Sequence, residues 1–296
     1  MKLYRLCMLL SMPLLLGISP DAHAFIHVAT EGSDSNAGTV SSPFKTLIRA
    51  RDAIRSMKIN GQLPEGPIEV LIHSGHYRVE TPIEFTEEDS GSQNSPIVYR
   101  AAGPESPLFS GGVALEHFTP VEDTDVLARL PESAGDKVMC ADLAAAGITG
   151  IPPLELGGFC SGRGFTTHPV WELYVNGEPM TPARWPNEGF VSTGEVLGPQ
   201  TLKSWDNRPG SPEGRFTYEE DRQSRWVGEP DTWLYGYWYW DWADSYEKID
   251  RIDVESQSIL LTQPWSTYGY RRDQRYFALN LLCELDAPGE WYLDRC

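Results

Sequence analysis

Large apolar and polar residues alternate along Trp233–Tyr246 (WLYGYWYWDWADSY). Trp233, Tyr235, Tyr237, Tyr239 and Asp241 interleave with Leu234, Gly236, Trp238, Trp240 and Trp242. A period of two predicts a strand with rings on both faces. One face, a Leu and three Trp, is enough to nucleate a core. The other carries three Tyr and ends at Asp241, with Asp244 and Glu247 just beyond. Rings beside carboxylates suit a sugar: a flat apolar surface meets the C–H side of a pyranose, and acceptors meet its hydroxyls. Aromatic residues also favour strands for packing alone. The stripe therefore reads as core, as sugar surface, or as one on each face.

Upstream, Phe25–Thr30 reads as a short strand and Glu31–Ser41 as a turn cluster. Within it, Asp34-x-Asn36-x-Gly38 lacks the closing Glu of a calcium loop, so an ordered turn is expected. Ser42-Pro43 supplies an N-cap and a first helical position. Leu47, Ala50, Ile54 and Met57 then give a helical apolar face that stops near Asn60-Gly61. From Pro67 the pattern changes to short apolar runs at Ile68–His73, Tyr77–Val79, Ile83–Phe85, Ile97–Ala101 and Leu108–Ser110, separated by Gly, Pro, Ser and Asn. Strands this short, joined by bends, suit the stacked coils of a β-solenoid.

Val113–Gly158 is poorly patterned apart from a short strand at Val138–Ala141. Glu172–Val175 and Glu178–Arg184 flank Asn176-Gly177, whose ready positive φ predicts a type I′ hairpin. Gly194–Glu229 reads as loop. A second hairpin is expected from Ile249–Val254 and Ser258–Thr262. Tyr276–Leu282 and Glu290–Leu293 follow, joined by a turn at Ala287-Pro288-Gly289. All ten Trp lie at or after Trp171. That asymmetry splits the chain, with a boundary between Gly112 and Phe118.

Composition narrows the class. With 27 Gly and 23 Pro in 296 residues, a turn-rich, mostly β protein is expected. A formal charge of −18 repels nucleic acid and anionic membrane, so neither is an expected partner. It also disfavours polyuronates unless a local basic groove or a bridging cation intervenes; neutral glycans suit it better. Residues 1–24 read as a signal peptide: Lys2 and Arg5, an apolar run at Leu6–Ile18, and Ala22-His23-Ala24 before a cut at Phe25. The expected location is secreted or periplasmic. No other stretch is long and apolar enough to span a bilayer. Cys140, Cys160, Cys283 and Cys296 match no zinc pattern. They read either as one or two disulfides, of open pairing, or as buried free thiols. His27, His73, His76, His117 and His168 show no ligand spacing, and neither a metal nor a cofactor is expected.

Candidate chemistry centres on two patches. Hydrolysis of a glycosidic bond generally uses two carboxyl groups, about 5–5.5 Å apart in retaining enzymes and wider in inverting ones. Asp241 and Asp244 lie beside Trp240 and Trp242, but on a continuous strand they face opposite sides, so pairing needs a turn near Ala243. Arg184-Trp185-Pro186-Asn187-Glu188 is the second patch. Trp185 can stack on a sugar and Asn187 can bond hydroxyls, or Arg184 can be tied within the fold with Trp185 packed beneath it. The candidate carbohydrate-binding residues are therefore Arg184, Trp185, Trp240, Asp241 and Asp244; no catalytic residue is assigned.

The segments ATEGSDSNAGTVSSPFKTLIRARDAIR, IEVLIHSGHYRV and SPIVYRAAGPESPLFSGG resemble the N-terminal cap and first rungs of secreted right-handed parallel β-helix proteins. WELYVNGEPMTPARWPNEGF, YWYWDWADSYEKID and YFALNLLCELDAPGEWYLD resemble the insertion domain of glycoside hydrolase family 141 and its relatives. The resemblance implies a mostly β fold. A right-handed parallel β-helix with a capping helix (25–115) is interrupted by a β-rich insertion domain (116–290), and 291–296 begins the return to the helix. It further implies that the chain is an N-terminal fragment lacking the catalytic coils, inactive and prone to aggregate alone. The parent would be a hydrolase acting on plant or algal polysaccharide. Alternatives on the same scaffold are a polysaccharide lyase and a non-enzymatic glycan-binding adhesin.

Overall fold

A computed structural model describes residues 23–164, 171–205 and 207–295. The expected signal peptide, His168 and Cys296 therefore lie essentially outside the described residues. The fold is mostly β, and the chain divides after Ala114 into two compact units.

In the first unit, β1 (Ala24–Val28), β2 (Ile68–Ile72) and β4 (Ile97–Ala101) form a three-stranded parallel sheet. Their register aligns Ile26, Val70 and Tyr99. A second parallel pair joins β3 (Gly75–Arg78) to β5 (Pro107–Ser110), setting Tyr77 against Phe109; their rings stack at 4.9 Å. Alternate residues Ile68, Val70 and Ile72 point inward onto Ile26, Val28, Phe44, Ala50 and Ile54, as the period of two requires. The helix α1 (Leu47–Ile59) presents Ala50, Ala53 and Ile54 to this core.

Two expectations are corrected here. The helix begins at Leu47, not at Pro43, because Phe44 is held extended by a bridge to Val28. Thr46 is the N-cap, its Oγ1 accepting from the Arg49 N–H at 3.1 Å. Asp34 fixes that cap by accepting from the N–H groups of Lys45 and Thr46 at 3.0 and 2.9 Å, which accounts for the ordered turn. Thr46→Ala should cost about 1 kcal/mol, read as faster amide exchange across α1; unchanged protection would show the cap to be dispensable. Second, Ile83–Phe85 forms no strand. The stretch around it is held instead by arginines on the polar side of α1: Arg51 donates to Glu84 O at 2.6 Å, and Arg55 grips Asp89 with two bonds of 2.7 and 2.6 Å.

The second unit is built on a seven-stranded antiparallel sheet. Its strands are β6 (Arg184–Trp185), β7 (Val191–Ser192), β8 (Arg215–Thr217), β9 (Trp233–Tyr237), β10 (Asp244–Asp253), β11 (Ser258–Leu261) and β12 (Arg275–Leu279). The order is β6-β12-β9-β10-β11-β8, with β7 beside β6 on the edge of β12. The Asn176-Gly177 hairpin forms, both residues at positive φ (54° and 85°), and so does the β10–β11 hairpin. Within the stretch expected to be loop lie β8 and a 3₁₀ turn, Arg222–Trp226. A short helix, α2 (Thr124–Arg129), capped by Asp123, appears where no pattern announced one.

The core of this unit gathers Phe216, Trp226, Leu234, Trp238, Ile259, Leu261, Tyr270, Tyr276, Ala278 and Leu281. The aromatic stripe supplies only part of it, because β9 ends at Tyr237 and the chain turns. Trp238 stays fully buried, its Nε1 donating to Ser245 O and Oγ at 3.1 and 3.0 Å. Trp240 is only half-buried, and Trp242, expected in the core, is 60% exposed. Tyr239, expected on the open face, is buried with the Arg271 guanidinium 5.6 Å from its ring centre.

Cys160 and Cys283 are buried free thiols, and Cys140 is free and exposed. Burial raises the pKa of Cys160 and pushes that of Cys283 up to about 12.

Candidate functional site

The two faces of the seven-stranded sheet are chemically unlike. On β9, Leu234 and Gly236 face the core, while Tyr235 and Tyr237 face the other way. Register carries that division across the sheet. Tyr235 pairs with Tyr246 on β10 and Phe277 on β12, and Tyr237 pairs with Asp244. The result is a continuous aromatic face. The Tyr235 ring lies 4.8 Å from Tyr246 and 5.1 Å from Phe277, and Phe190 from the loop before β7 lies 5.6 Å from Phe277 and 6.3 Å from Tyr237. These rings are half-buried and Phe190 is 43% exposed. At the Trp233 and Leu279 end, Leu154, Leu156 and Trp171 pack over the same face.

Polar groups sit among the rings. Tyr235 Oη donates to Asp244 Oδ2 at 2.8 Å. Burial, with the neighbouring Tyr237 and Asp244, holds the Tyr235 phenol well above its ordinary pKa, so it stays a donor. Burial likewise raises Tyr246. The Arg184 guanidinium lies 3.7 Å from the Phe277 ring centre, and that of Arg275 lies 4.0 Å from Tyr237. Both are cation–π contacts. Arg184 is fixed by donating to Pro186 O and Gly189 O, each at 2.8 Å, and burial lowers its pKa.

Of the five residues expected from sequence, Arg184 and Asp244 reach this face. Trp185 does not: Arg184 and Trp185 are successive on β6, so they point to opposite sides. Trp185 meets Trp226 at 5.7 Å on the core side. Trp240 packs against the core edge with Arg271 5.8 Å from its ring centre. Asp241 lies on the turn, its carboxylate exposed 4.0 Å from Arg271 and its carbonyl accepting from Arg275 Nη2 at 3.1 Å. Asp241 and Asp244 thus engage separate partners. Glu247, expected near the Tyr face, points into the core, three residues and therefore an odd step beyond Asp244. Phe190, Tyr246, Arg275 and Phe277 were not singled out from the sequence. The alternation in RYFAL (275–279) carries a signal for the last two; for Phe190 only the fold does.

Behind the sheet, Glu247 is fully buried. Its Oε1 accepts from Ser245 Oγ at 2.9 Å, and Arg163 Nη1 stands 3.6 Å from Oε2. Burial raises its pKa to about 7 against the opposing pull of Ser245, Arg163 and Tyr270. The strand carrying these groups is approached closely by Gly158, where a Cβ would fall 2.6 Å from Ser245 Cα. There Tyr246 N–H donates to Gly157 O and Cys160 N–H to Asp244 O.

A second polar network lies at the other end of the unit. Glu284, fully buried, accepts two bonds from Arg222 Nε at 3.0 Å, a close one from Arg222 Nη2, and one from Trp226 Nε1 at 2.7 Å. Asp286 accepts from Arg222 Nη2 at 3.1 Å and from Asn187 Nδ2 at 2.8 Å. This ties the Arg184–Glu188 segment to the core. A shallow cavity there is lined by Pro131, Glu132, Ser133, Arg222, Arg225 and Asp286. Among the described residues no three His, Cys, Asp or Glu side chains converge as a metal site.

No protein-family model and no curated protein matches the chain. Among solved structures, it is similar to one titled "Glycoside hydrolase", with a TM-score of 0.59 and 19% identity over 92% of this chain and 41% of that one. A second, "The complex structure of XylC with xylose", aligns at a TM-score of 0.25 and 14% identity over 91% of this chain and 33% of that one, too low to carry a fold argument. The likeness to the first is one of fold, and the fold is mostly β. The chain spans less than half the length of either structure.

Proposed function

We propose that this chain is part of an exported carbohydrate-active protein related to glycoside hydrolase family 141. In this reading residues 1–24 direct secretion, or export to the periplasm. The parallel strands of the first unit are the opening coils of a right-handed β-helix, with α1 as their cap. The seven-stranded unit is an insertion (116–290) that walls one side of a groove for plant or algal polysaccharide, with hydrolysis performed by carboxylates of the whole protein outside this face.

The observation that carries the reading is the ring face itself: Phe190, Tyr235, Tyr237, Tyr246 and Phe277 adjoin across three strands and a loop, with Asp244 beside them. Sheets hide such surfaces or use them, and single-ring substitutions separate the two. Tyr237→Ala and Phe190→Ala should each weaken retention by polysaccharide in affinity electrophoresis about tenfold, roughly 1.4 kcal/mol, with the melting profile little changed. Unaltered mobility in folded variants would refute a binding role for this face.

A further inference from the structure

The acidity of the chain as a whole argues against acidic glycans, yet the ring face carries local positive charge. Arg184 and Arg275 both lie on its aromatic rings, at 3.7 Å from Phe277 and 4.0 Å from Tyr237. Arg275 also reaches Phe190 at 5.8 Å, so the two guanidiniums flank the Phe190–Phe277 pair. Among the described residues neither has a carboxylate within salt-bridge distance. Arg163, Arg222, Arg271 and Arg272 of the same unit do, and what distinguishes Arg184 and Arg275 from other arginines of the unit is their place on the rings. The acid nearest in effect to Arg184 is Glu290, whose carboxylate accepts from the Arg184 backbone N–H at 3.4 Å and acts on the guanidinium only through its field. Both guanidiniums keep N–H groups to offer. Arg184 uses Nε and Nη2 on backbone carbonyls and leaves Nη1. Arg275 is exposed and uses one Nη2 bond to Asp241 O.

We propose that this face holds a uronate-bearing glycan, its rings receiving the pyranose and Arg184 and Arg275 its carboxylates. The inference rests on the glycan-binding reading above and names its substrate class. A guanidinium matches the planar carboxylate through charge-assisted N–H···O bonds. One charge per sugar also suits a protein of net charge −18 better than a densely sulfated polymer, which the long-range field repels more. Asp244 and Tyr235, bonded to one another, remain beside the rings for neutral hydroxyls.

The test is affinity electrophoresis and calorimetry of the full chain, in EDTA to remove bridging calcium. The ligands are polygalacturonate, its fully methyl-esterified form, a sulfated galactan and a neutral xylan. Polygalacturonate should bind at least about tenfold more tightly than its methyl ester, and the advantage should shrink as salt rises. Arg275→Gln, at an exposed position that leaves the core untouched, should abolish most of the preference, and Arg275→Lys should restore part of it. Equal binding of the methyl ester, tighter binding of the sulfated galactan or xylan, or an Arg275→Gln variant with the preference intact would overturn the proposal while leaving glycan binding in place. Retention of none of the four would overturn both.

Discussion

Glu284→Ala should lower the stability of the second unit by about 3–5 kcal/mol. Glu284 is wholly inaccessible and receives bonds from Arg222 and Trp226, with Arg225 Nη1 at 3.9 Å. Deleting the carboxylate leaves a partly buried guanidinium with only Asp286, and strands the indole N–H of Trp226, itself 2% exposed. An unsatisfied buried donor alone costs about 1–3 kcal/mol. Glu284→Gln keeps an acceptor for Trp226 but removes the charge, so it should fall between wild type and the alanine variant. Urea unfolding followed by tryptophan fluorescence reports on this unit, because every Trp lies in it. A midpoint shift equivalent to less than about 1 kcal/mol for the alanine variant would mean that the network adds little beyond packing.

Glu247 should make the same unit lose stability as pH rises. Its folded-state pKa is about 7 against an ordinary 4.5. Between those values the folded unit holds a proton that the unfolded chain has released. Stability is therefore highest below about pH 4.5 as far as this group is concerned. It declines through the window and stays low above pH 7, by roughly 3 kcal/mol in total. Glu247→Gln imitates the protonated form and keeps the bond from Ser245, so its stability should be flatter between pH 5 and 8 and exceed that of wild type at the upper end. The difference between the two proteins isolates this residue from Glu290, whose pKa burial also raises. Asp89, which Arg55 holds down to about 2, acts in the opposite sense and belongs to the other unit. Parallel pH profiles for wild type and Glu247→Gln would show that the carboxylate is not driving the dependence.

Much of the local architecture could be read from residue order, because period-two strands and Gly-containing turns are local signals. Ile68–Ile72 and Ile97–Ala101 were legible from their apolar runs, and the Asn176-Gly177 turn from its chemistry. Errors arose where a distant partner decides the conformation. Ser42-Pro43 has the grammar of a helix start, but the bridge from Phe44 to Val28 postpones the helix to the next capping residue. Alternation continues past Tyr237 in the sequence, whereas the strand does not, so Tyr239 and Trp242 exchange their expected burial. The site was half legible for the same reason. Tyr235 and Tyr237 share one parity of the alternation, whereas Asp244 has the other and reaches their face only because the chain turns after Tyr237 and β10 pairs back on β9. Phe190 and Phe277 join them only through antiparallel pairing across β12, a register set by tertiary contacts. Trp185 looked like the binding ring and Arg184 like its anchor; on a two-residue strand only one can face outward, and burial favours the indole.

The first unit's small sheet has two unlike borders. Along β1, the segment around Gly38 and Phe44 occupies the backbone: His27 N–H donates to Gly38 O, and Phe44 N–H to His27 O. Along β4, beyond its pairing with β2, no described strand does the same, and Val98 is 40% exposed there. The two borders thus differ in what they leave unpaired: the Ala24–Val28 flank is covered by its own chain, whereas the Ile97–Ala101 flank is, among the described residues, the edge at which further strand pairing has room.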